Sequence, residues 1–285
     1  MTIDEANKAG INILKECCET AWLDASVILG YVLNKERWYL IAHSEEKLTQ
    51  DELTEYLKLI NRRLSGVPTQ YITGRQEFMS LNFFVNESVL IPRSDTEVIV
   101  EEILRYISKV PKEKIIKLLD VGTGSGCIAL SIAKYTNNTK IKAIDISEEA
   151  LKVAKKNACT LGLEDKVEFI FSDLFDNIGQ ESFDIIVSNP PYIPSGIIES
   201  LQVEVRKNEP WLALDGGEDG LDYYRRIIAE GIDILKLGGL LIFEIGYDQA
   251  EAVRLIISDF KEYYGYEIIK DLANRDRCIT VFRNI

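Results

Sequence analysis

Histidine is nearly absent from this chain, since His43 is the only one among 285 residues. A single imidazole excludes Ser-His-Asp triads and metal sites built on several histidines. The five cysteines are odd in number, and no two of them stand in a CxxC pattern. We therefore expect buried or incidental thiols, with neither a disulfide framework nor a zinc site. Any catalysis must rest on carboxylates, amides, binding geometry and a cofactor.

Long apolar runs and basic charge are also scarce. No apolar run reaches the roughly 20 residues that span a bilayer, and the start of the chain lacks a signal-peptide pattern. We therefore expect a cytoplasmic protein. The formal net charge is −13, with 33 Lys and Arg against 46 Asp and Glu. Proteins that hold nucleic acid neutralise its phosphates with basic residues, so direct nucleic-acid binding is not expected.

The apolar pattern divides the chain into three parts. Apolar residues recur at helical spacing near the start, which predicts an N-terminal bundle of about four helices over residues 1–68. Three of its large side chains are expected in the core: Trp22, Leu23 and Tyr56. Short aromatic runs between turn residues predict a β-hairpin linker over residues 69–93. Residues 94–285 form the third part.

Strand and helix patterns alternate in the third part, which predicts an α/β fold with a doubly wound, mostly parallel seven-stranded sheet. The predicted strands are 115–121, 140–145, 167–171, 184–188, 240–245, 266–270 and 278–282. The predicted helices between them are 127–134, 148–161, 221–235 and 249–260. Only residues 271–277 separate the last two strands, too few for a helical crossover, so the last strand should be antiparallel.

A glycine-rich loop, Gly122-Thr123-Gly124-Ser125-Gly126, joins the first predicted strand of this sheet to the helix after it. Glycines let the backbone turn tightly and approach a ligand closely. In open α/β sheets, ligands bind beyond the carboxyl ends of the strands. The GxGxG spacing differs from the GxGxxG of NAD-binding loops, and the Lys of a P-loop is missing.

Acidic residues follow the next two predicted strands. Asp145 lies 19 residues beyond Gly126 (145 − 126), where a carboxylate can accept hydrogen bonds from ribose hydroxyls. Asp173 and Leu174 offer a carboxylate for an exocyclic amine and an apolar surface for a purine face. Each also has a structural alternative, as a helix N-cap acid, a loop acid or, for Gly124, a turn glycine. Their placement at successive strand ends favours one ligand in a common crevice.

The most informative stretch is Asn189-Pro190-Pro191-Tyr192, which follows a short apolar strand. Neither proline can donate a backbone N–H, and both stiffen the chain. The corner therefore presents mainly acceptors beside an aromatic ring, which suits a planar group that carries an NH2. A strand-ending turn is the alternative, because Asn-Pro commonly opens turns. The glycine loop upstream favours the binding interpretation.

These features resemble class I S-adenosylmethionine-dependent methyltransferases of the branch that methylates NH2 groups on planar systems. Further segments resemble the HemK/PrmC family, which methylates the glutamine of the GGQ motif in peptide chain release factors. The matching segments are Gly66-Val67-Pro68, Gln70-Tyr71-Ile72-Thr73-Gly74, Val89-Leu90-Ile91-Pro92-Arg93, Thr96-Glu97, Glu209-Pro210, Asp219-Gly220-Leu221 and Glu244-Ile245-Gly246. The chain departs from the family pattern at Ser94-Asp95, Leu174 and Asn274.

The resemblance implies the reaction and its residues. The cofactor would be S-adenosyl-L-methionine, converted to S-adenosyl-L-homocysteine without a metal, and release factors would be the partners. Asn189 and Pro190 would each accept one N–H of the glutamine, Pro191 would complete the substrate site, and Tyr192 would pack on the amide plane. The cofactor would be held by Gly122, Thr123, Gly124, Ser125, Gly126, Asp145, Asp173, Leu174 and Asn189. The N-terminal bundle would dock the protein substrate.

Several assignments stay open at this point. Arg93 and Glu97 could line the mouth of the site or form an ion pair that braces a helix start. Residues 209–221 are expected to form a functional loop beside the corner. An adenine-N6 methyltransferase acting on DNA or RNA is the first alternative, although residues 1–85 carry only nine Lys and Arg against twelve Asp and Glu. A cofactor-free binding module on a degenerate methyltransferase fold is the second.

Overall fold

The computed structural model describes residues 1–16 and 18–285, and the chain divides into two units. The first comprises Met1–Arg75 and Gln202–Asn208, and the second comprises Gln76–Leu201 and Glu209–Ile285. The first unit therefore extends past residue 68, the predicted end of the bundle, and includes a segment from the second half of the chain. Among the described residues, no helix has both the length and the apolar character needed to cross a bilayer.

The first unit is helical, as the apolar spacing predicts. Its helices are α1 (Ile3–Leu14), α2 (Ala21–Leu33), α3 (Arg37–Ala42), α4 (Gln50–Leu64), α5 (Thr69–Thr73) and, ninth in chain order, α9 (Val203–Asn208). Thr2 and Thr49 start α1 and α4 with capping boxes, in which each threonine and the glutamate three residues later satisfy each other's backbone N–H. Sequence-local signals thus set both helix starts.

A buried arginine ties α9 to this unit. The Arg63 side chain is 9% exposed, and its guanidinium lies 2.8 Å from Asp24 Oδ2 and 2.7 Å from Glu204 Oε2. Asn208 Nδ2 donates to the Gly66 carbonyl at 2.9 Å. A buried guanidinium needs anionic partners, and Glu204 supplies one from the far half of the chain. No local pattern predicts this contact.

The predicted core of the first unit is correct for Tyr56 and wrong for Trp22. Tyr56 is fully buried and Leu23 partly buried, whereas Trp22 is 56% exposed. Trp22 lies beside the buried stripe of α2, and the Arg37 guanidinium lies 5.3 Å from its ring centroid. The residues that form this stripe are Ala21, Asp24, Ala25, Ile28 and Leu29. A side chain on the helix face next to the apolar stripe points away from the core.

The predicted β-hairpin is present but shorter than the linker. Its strands are β1 (Arg75–Phe78) and β2 (Leu81–Phe84), whereas residues 69–73 form α5. Short apolar-polar runs such as 69–73 carry no periodicity long enough to separate a helical turn from a strand.

The hairpin turn uses side-chain-bearing residues where glycine or asparagine is usual. Met79 and Ser80 have φ angles of 50° and 57°, the left-handed conformation of a two-residue type I′ turn. Glu97 Oε1 accepts from the Met79 N–H at 2.5 Å, and the Tyr135 hydroxyl donates to the Met79 carbonyl at 2.6 Å. These contacts compensate the backbone cost of the turn.

The second unit contains the predicted seven-stranded sheet, in the order β5-β4-β3-β6-β7-β9-β8. Its strands are β3 (Ile116–Val121), β4 (Thr139–Asp145), β5 (Val167–Phe171), β6 (Phe183–Ser188), β7 (Leu235–Glu244), β8 (Tyr263–Lys270) and β9 (Asp276–Arg283). The strands β3 to β7 pair in parallel, and β9 is antiparallel to both β7 and β8. The predicted doubly wound sheet with an antiparallel last strand is confirmed.

Helices cover both faces of this sheet. One face packs on α6 (Glu97–Ser108), α7 (Cys127–Tyr135) and α8 (Glu148–Leu161), and the other on α10 (Asp222–Ile234) and α11 (Ala250–Ser258). The start of β7 differs most from its prediction. A Gly-Gly pair is typical of a turn, but β7 continues through Gly238-Gly239. Its pairing with β6 changes register between Phe183 and Ile185 of β6.

The cysteine side chains of this unit fit the expectation of buried or incidental thiols. Cys127 and Cys278 are buried free thiols, and Cys159 is an exposed one. Burial raises the pKa of Cys127 to about 12, so the thiol stays protonated and unreactive at neutral pH. Cys17, another of the five cysteines in the sequence, lies outside the described residues.

The strand order creates a switch point between β3 and β6. From β3 the chain winds outward through β4 to β5 and then returns to β6 on the other side. Val121 pairs with Ile144 on one side and Ser188 on the other, and the Ser188 hydroxyl donates to the Val121 carbonyl at 2.7 Å. The residues that follow these strands therefore meet at one edge, where open α/β sheets bind ligands.

Candidate active site

A cleft opens at this edge, beyond the carboxyl ends of the parallel strands. Its wall contains ten of the twelve predicted site residues: Gly122, Thr123, Gly124, Ser125, Asp145, Asp173, Leu174, Asn189, Pro190 and Pro191. Gly126 and Tyr192 are the two that do not line it in the described structure. Sequence signals that follow four different strands are thus brought together in one place.

A buried carboxylate at the end of β3 holds the glycine loop from beneath. Asp120 is fully buried, and its Oδ2 accepts from the Thr123 hydroxyl at 2.7 Å and from the Ala129 N–H at 3.2 Å. Burial raises the pKa of Asp120 to about 7, against the lowering effect of these hydrogen bonds. The acid that precedes the loop therefore supports its shape and joins it to α7.

The loop itself is open to the cleft at two of its glycines. Gly122 and Gly124 have φ angles of 72° and 55°, and a Cβ placed on either would meet no described heavy atom within 4 Å. A ligand can therefore come against the bare backbone there. Gly126 differs, because its Cβ would lie 3.0 Å from Leu130 and 3.2 Å from Ala154. The absence of a side chain at Gly126 allows close packing against these two residues, and Gly126 does not line the cleft.

Asp145, at the end of β4, braces the same loop. Its Oδ2 accepts from the Gly124 N–H at 2.8 Å and its Oδ1 from the Ser147 N–H at 2.9 Å. Burial raises the pKa of Asp145, although both backbone hydrogen bonds act in the opposite direction. Each carboxylate oxygen has a second lone pair, so the group can serve the loop and a ligand in the cleft together.

Asp173 and Leu174 follow β5 in the cleft wall. Asp173 Oδ1 lies 3.1 Å from the Arg226 guanidinium of α10, with both side chains more than 40% exposed. Leu174 is buried with φ of 42°, an unfavourable conformation for a residue with a side chain. The structure therefore gives Asp173 a cationic partner that the sequence analysis missed, because Arg226 lies on an element distant in the chain.

The Asn189–Tyr192 corner follows β6 and is held in place from several sides. Asn189 Nδ2 donates to Thr96 Oγ1 at 3.3 Å, and Gln249 Nε2 donates to the Tyr192 carbonyl at 2.9 Å. The Tyr192 hydroxyl lies 3.4 Å from Glu244 Oε1, in the protein interior. Packing of the Tyr192 ring on a substrate amide stays a prediction.

The loop of residues 209–221 packs directly on this corner. A Cβ on Gly216 would lie 2.8 Å from the Pro191 carbonyl oxygen, and one on Gly220 would lie 2.4 Å from the Tyr192 carbonyl oxygen. Backbone approaches of this kind exclude any side chain. The glycines of this loop therefore let it seat against the corner, in agreement with its predicted position.

Arg93 and Glu97, whose roles the sequence left open, have different positions in the structure. Arg93 lines the cleft, and its guanidinium donates to the buried Glu209 carboxylate at 2.5 Å. Glu97 instead accepts from Met79 in the hairpin turn and is not among the described lining residues. Arg93 thus connects the cleft wall to the 209–221 loop, whereas Glu97 has a structural role.

Three supporting residues were not among the predicted site residues: Thr96, Glu244 and Gln249. The sequence analysis quoted Thr96 and Glu244 only as parts of family-like segments, and Gln249 only as a helix start. All three reach the corner through tertiary packing. Their one sequence signal is a polar residue at the end of an apolar strand or next to a helix start.

Comparison with known proteins matches both units. A methyltransferase small domain model matches residues 103–204, and a PrmC N-terminal domain model matches residues 5–74. A release factor glutamine methyltransferase of Clostridium acetobutylicum is 42% identical over 286 residues, which cover 99% of each chain. One of Moorella thermoacetica is 43% identical over 261 residues, which cover 92% of this chain and 91% of its own.

A solved methyltransferase structure from Pyrococcus furiosus shares the fold at 19% identity and a TM-score of 0.52, covering 79% of this chain and 98% of that one. The cleft of the second unit thus lies in a methyltransferase fold. Because relatives with one shared name are similar over nearly its whole length, this chain belongs to the family of release factor glutamine methyltransferases.

Proposed function

We propose that this protein transfers a methyl group from S-adenosylmethionine to the side-chain amide nitrogen of the glutamine in the GGQ motif of peptide chain release factors. One observation carries the proposal. The register of β3 and β6 sets the bare backbone of the glycine loop beside the proline-stiffened corner, in a single cleft. A cofactor and a carboxamide can therefore meet there.

Features of the cleft wall support cofactor binding at the positions that the sequence predicted. The open space beside Gly122 and Gly124 admits a ligand against the backbone. Asp145 would accept from the ribose hydroxyls, and Asp173 and Leu174 would hold the adenine. S-adenosylmethionine supplies a methyl group activated by a positively charged sulfur.

The corner supplies orientation to the substrate amide. Asn189 Oδ1 and the Pro190 carbonyl would each accept one N–H of the glutamine, which aims its nitrogen at the methyl group. Fixed acceptors also stabilise the positive charge that develops on that nitrogen. Because good orientation alone contributes roughly 7–11 kcal/mol, no titrating base is required. The proton leaves to water after transfer.

The helical first unit would dock the release factor, in the cytoplasm. The match of residues 5–74 to the PrmC N-terminal domain supports a family-specific role for this unit.

Replacement of Asp145 by alanine should raise the Kd for S-adenosylmethionine about 10- to 100-fold. Hydrogen bonds to charged groups contribute about 1.5–3 kcal/mol, and the variant also loses the brace on the Gly124 N–H. Calorimetric titration of the purified protein measures this. Glu148→Ala is the control, because it removes an exposed carboxylate from the next helix without altering the cleft. An unchanged Kd in Asp145→Ala would count against ribose binding.

The proposed function is tested by incubating the protein with a release factor and methyl-labelled S-adenosylmethionine, followed by peptide mass mapping. We expect one added methyl group on the glutamine of the Gly-Gly-Gln loop. A release factor with that glutamine replaced by alanine should take up no label. Label on adenine-containing DNA or RNA, with none on the release factor, would refute the proposal.

A further inference from the structure

One buried asparagine of α8 binds the backbone of two other segments. Asn157 is 1% exposed. Its Oδ1 accepts from the Phe84 N–H at 2.6 Å, and its Nδ2 donates to the Phe84 carbonyl at 3.0 Å and to the Ser125 carbonyl at 2.9 Å. Phe84 is the last residue of β2 in the hairpin, and Ser125 belongs to the glycine loop. A single carboxamide therefore joins α8, the hairpin and the loop.

These three hydrogen bonds also fix the orientation of the Asn157 carboxamide. A backbone N–H can only donate, and a carbonyl oxygen can only accept. With Oδ1 on the Phe84 N–H, the two protons of the NH2 group match the two carbonyl acceptors. The opposite orientation would set donor against donor at Phe84 and oxygen against oxygen at both carbonyls. The surroundings therefore favour one orientation, in which every contact is a hydrogen bond.

Asn157 completes a set of side chains that hold three consecutive residues of the glycine loop. Asp120 accepts from the hydroxyl of Thr123, and Asp145 accepts from the next backbone N–H. Asn157 donates to the carbonyl that follows, at Ser125. Glycine-rich backbone has many accessible conformations, so contacts from outside the loop are needed to keep one shape. Asn157 supplies such a contact and in addition binds the hairpin.

The end of the hairpin leads into a second part of the cleft wall. Ser88, Val89 and Leu90 line the cleft shortly after Phe84. A turn at Asn86 connects them, in which the Ser88 N–H donates to Asn86 Oδ1 at 3.1 Å and the Val89 N–H donates to the Asn86 carbonyl at 3.2 Å. Because this turn is short and hydrogen-bonded, the position of Phe84 determines where the 88–90 segment lies.

We propose that Asn157 is a positioning residue that holds the glycine loop and the 88–90 segment in the relative positions that S-adenosylmethionine requires. This inference rests on the proposed function, because it takes that cofactor as the occupant of the cleft. Asn157 is not among the described residues that line the cleft, so it acts through Ser125 and Phe84. Its three hydrogen bonds offset the cost of burying a polar side chain on the core-facing side of α8.

Asn157→Asp cuts the contact with the loop with almost no change of shape. An ionised aspartate keeps an oxygen for the Phe84 N–H, but it has no N–H to donate to the Ser125 carbonyl. Leaving a buried acceptor without its donor is costly, so the loop should move away from the carboxylate. We expect the Kd for S-adenosylmethionine to rise roughly 10- to 100-fold, as measured by calorimetry. An unchanged Kd would overturn the proposal.

Asn157→Ala is the second variant, and it introduces no charge. It removes all three hydrogen bonds, so both the loop and the hairpin lose their contact with α8. The Kd for S-adenosylmethionine should rise at least as much as in Asn157→Asp. A loss of affinity confined to Asn157→Asp would assign the effect to a buried charge and would contradict the positioning role.

Two other positions of α8 provide matched controls. Lys156→Ala removes an ammonium that lies 3.1 Å from the centroid of the Phe84 ring, but it leaves the Phe84 backbone bound to Asn157. Val153→Ala removes buried apolar packing one turn earlier. Neither residue is among those described as lining the cleft, so both variants should keep the wild-type Kd. A Kd increase in Val153→Ala equal to that in Asn157→Ala would assign the effect to general destabilisation of α8.

Amide hydrogen exchange gives a readout that a purely structural role would not change. Bound cofactor should restrict the motion of the glycine loop, and Asn157 would transmit this restriction to the hairpin. In the wild-type protein, exchange of the Phe84 N–H should therefore slow when S-adenosylmethionine is added. In Asn157→Asp, which keeps the acceptor of that N–H and loses the link to Ser125, saturating cofactor should leave the rate unchanged. Equal slowing in both proteins would assign it to direct contact of the cofactor with the 88–90 segment and overturn the coupling.

Titrations of the wild-type protein distinguish the positioning role from the proposed function. A wild-type protein that binds no S-adenosylmethionine, or that transfers no methyl group to a release factor, would refute the proposed function. Cofactor binding by the wild-type protein, with the same Kd in Asn157→Asp and Asn157→Ala, would refute the positioning role alone.

Discussion

Asn189→Ala should lower kcat for release factor methylation by at least about 100-fold, the usual effect of removing one key group that stabilises transition-state charge. The variant loses Oδ1, which would accept one N–H of the substrate glutamine and compensate charge on its nitrogen. The Pro190 carbonyl remains, because alanine leaves the backbone of the corner intact. The Kd for S-adenosylmethionine should change less, since the glycine loop and Asp145 are untouched.

Steady-state and single-turnover kinetics with a release factor measure this effect, and calorimetry measures cofactor binding. Asn138→Ala is a matched control. Asn138 is partly buried, and its Nδ2 makes a comparable hydrogen bond, 3.1 Å from the Lys114 carbonyl, but it does not line the cleft. Near-normal turnover by Asn189→Ala would refute the proposed role of the corner.

Gly124→Ala should raise the Kd for S-adenosylmethionine about 10- to 100-fold, because the added methyl group occupies space in the cleft that the cofactor needs. Overpacking typically costs about 1–3 kcal/mol, and about 1.4 kcal/mol corresponds to a factor of ten. The new Cβ meets no described protein atom within 4 Å. The effect on binding is therefore expected to come from the ligand itself.

Gly162→Ala is the control that separates the effect of backbone strain from the loss of space for the cofactor. Gly162 has φ of 67°, close to the 55° of Gly124, and its Cβ would also meet nothing within 4 Å, but it ends α8 outside the cleft. Both variants should lose similar thermal stability, since alanine is strained at positive φ. Only Gly124→Ala should lose cofactor affinity. Equal Kd values in the two variants would contradict the assignment of the loop.

Prediction from sequence succeeded where a signal was local. The strands β4 and β5 begin and end within one residue of their predicted bounds, and α8 matches at both ends. Glycine, proline and apolar runs act on the backbone where they stand. It failed at β7, because a Gly-Gly pair that usually ends a strand was accommodated by a register shift with β6. It failed also at Trp22, whose side of α2 depends on neighbouring helices.

One local departure from the family pattern illustrates the same principle. The family that the sequence resembles often has glycine near Asn274, whose φ is 62°. Asparagine is among the residues that tolerate this conformation best, so the turn between β8 and β9 can keep its shape. Leu174 has φ of 42° without that tolerance, and the packing of its buried side chain must compensate.

Local sequence encodes the order of strands and helices, the glycine loop, and the corner at Asn189, because these depend on backbone preferences of neighbouring residues. The contacts that support that corner depend instead on how distant elements pack together. Thr96, Glu244 and Gln249 come from three separate elements and reach Asn189 and Tyr192 through tertiary packing. Only for Glu244 does this follow from the pairing of β6 with β7. A hydrogen bond between distant residues depends on strand register and packing, which the spacing of residues along the chain does not encode.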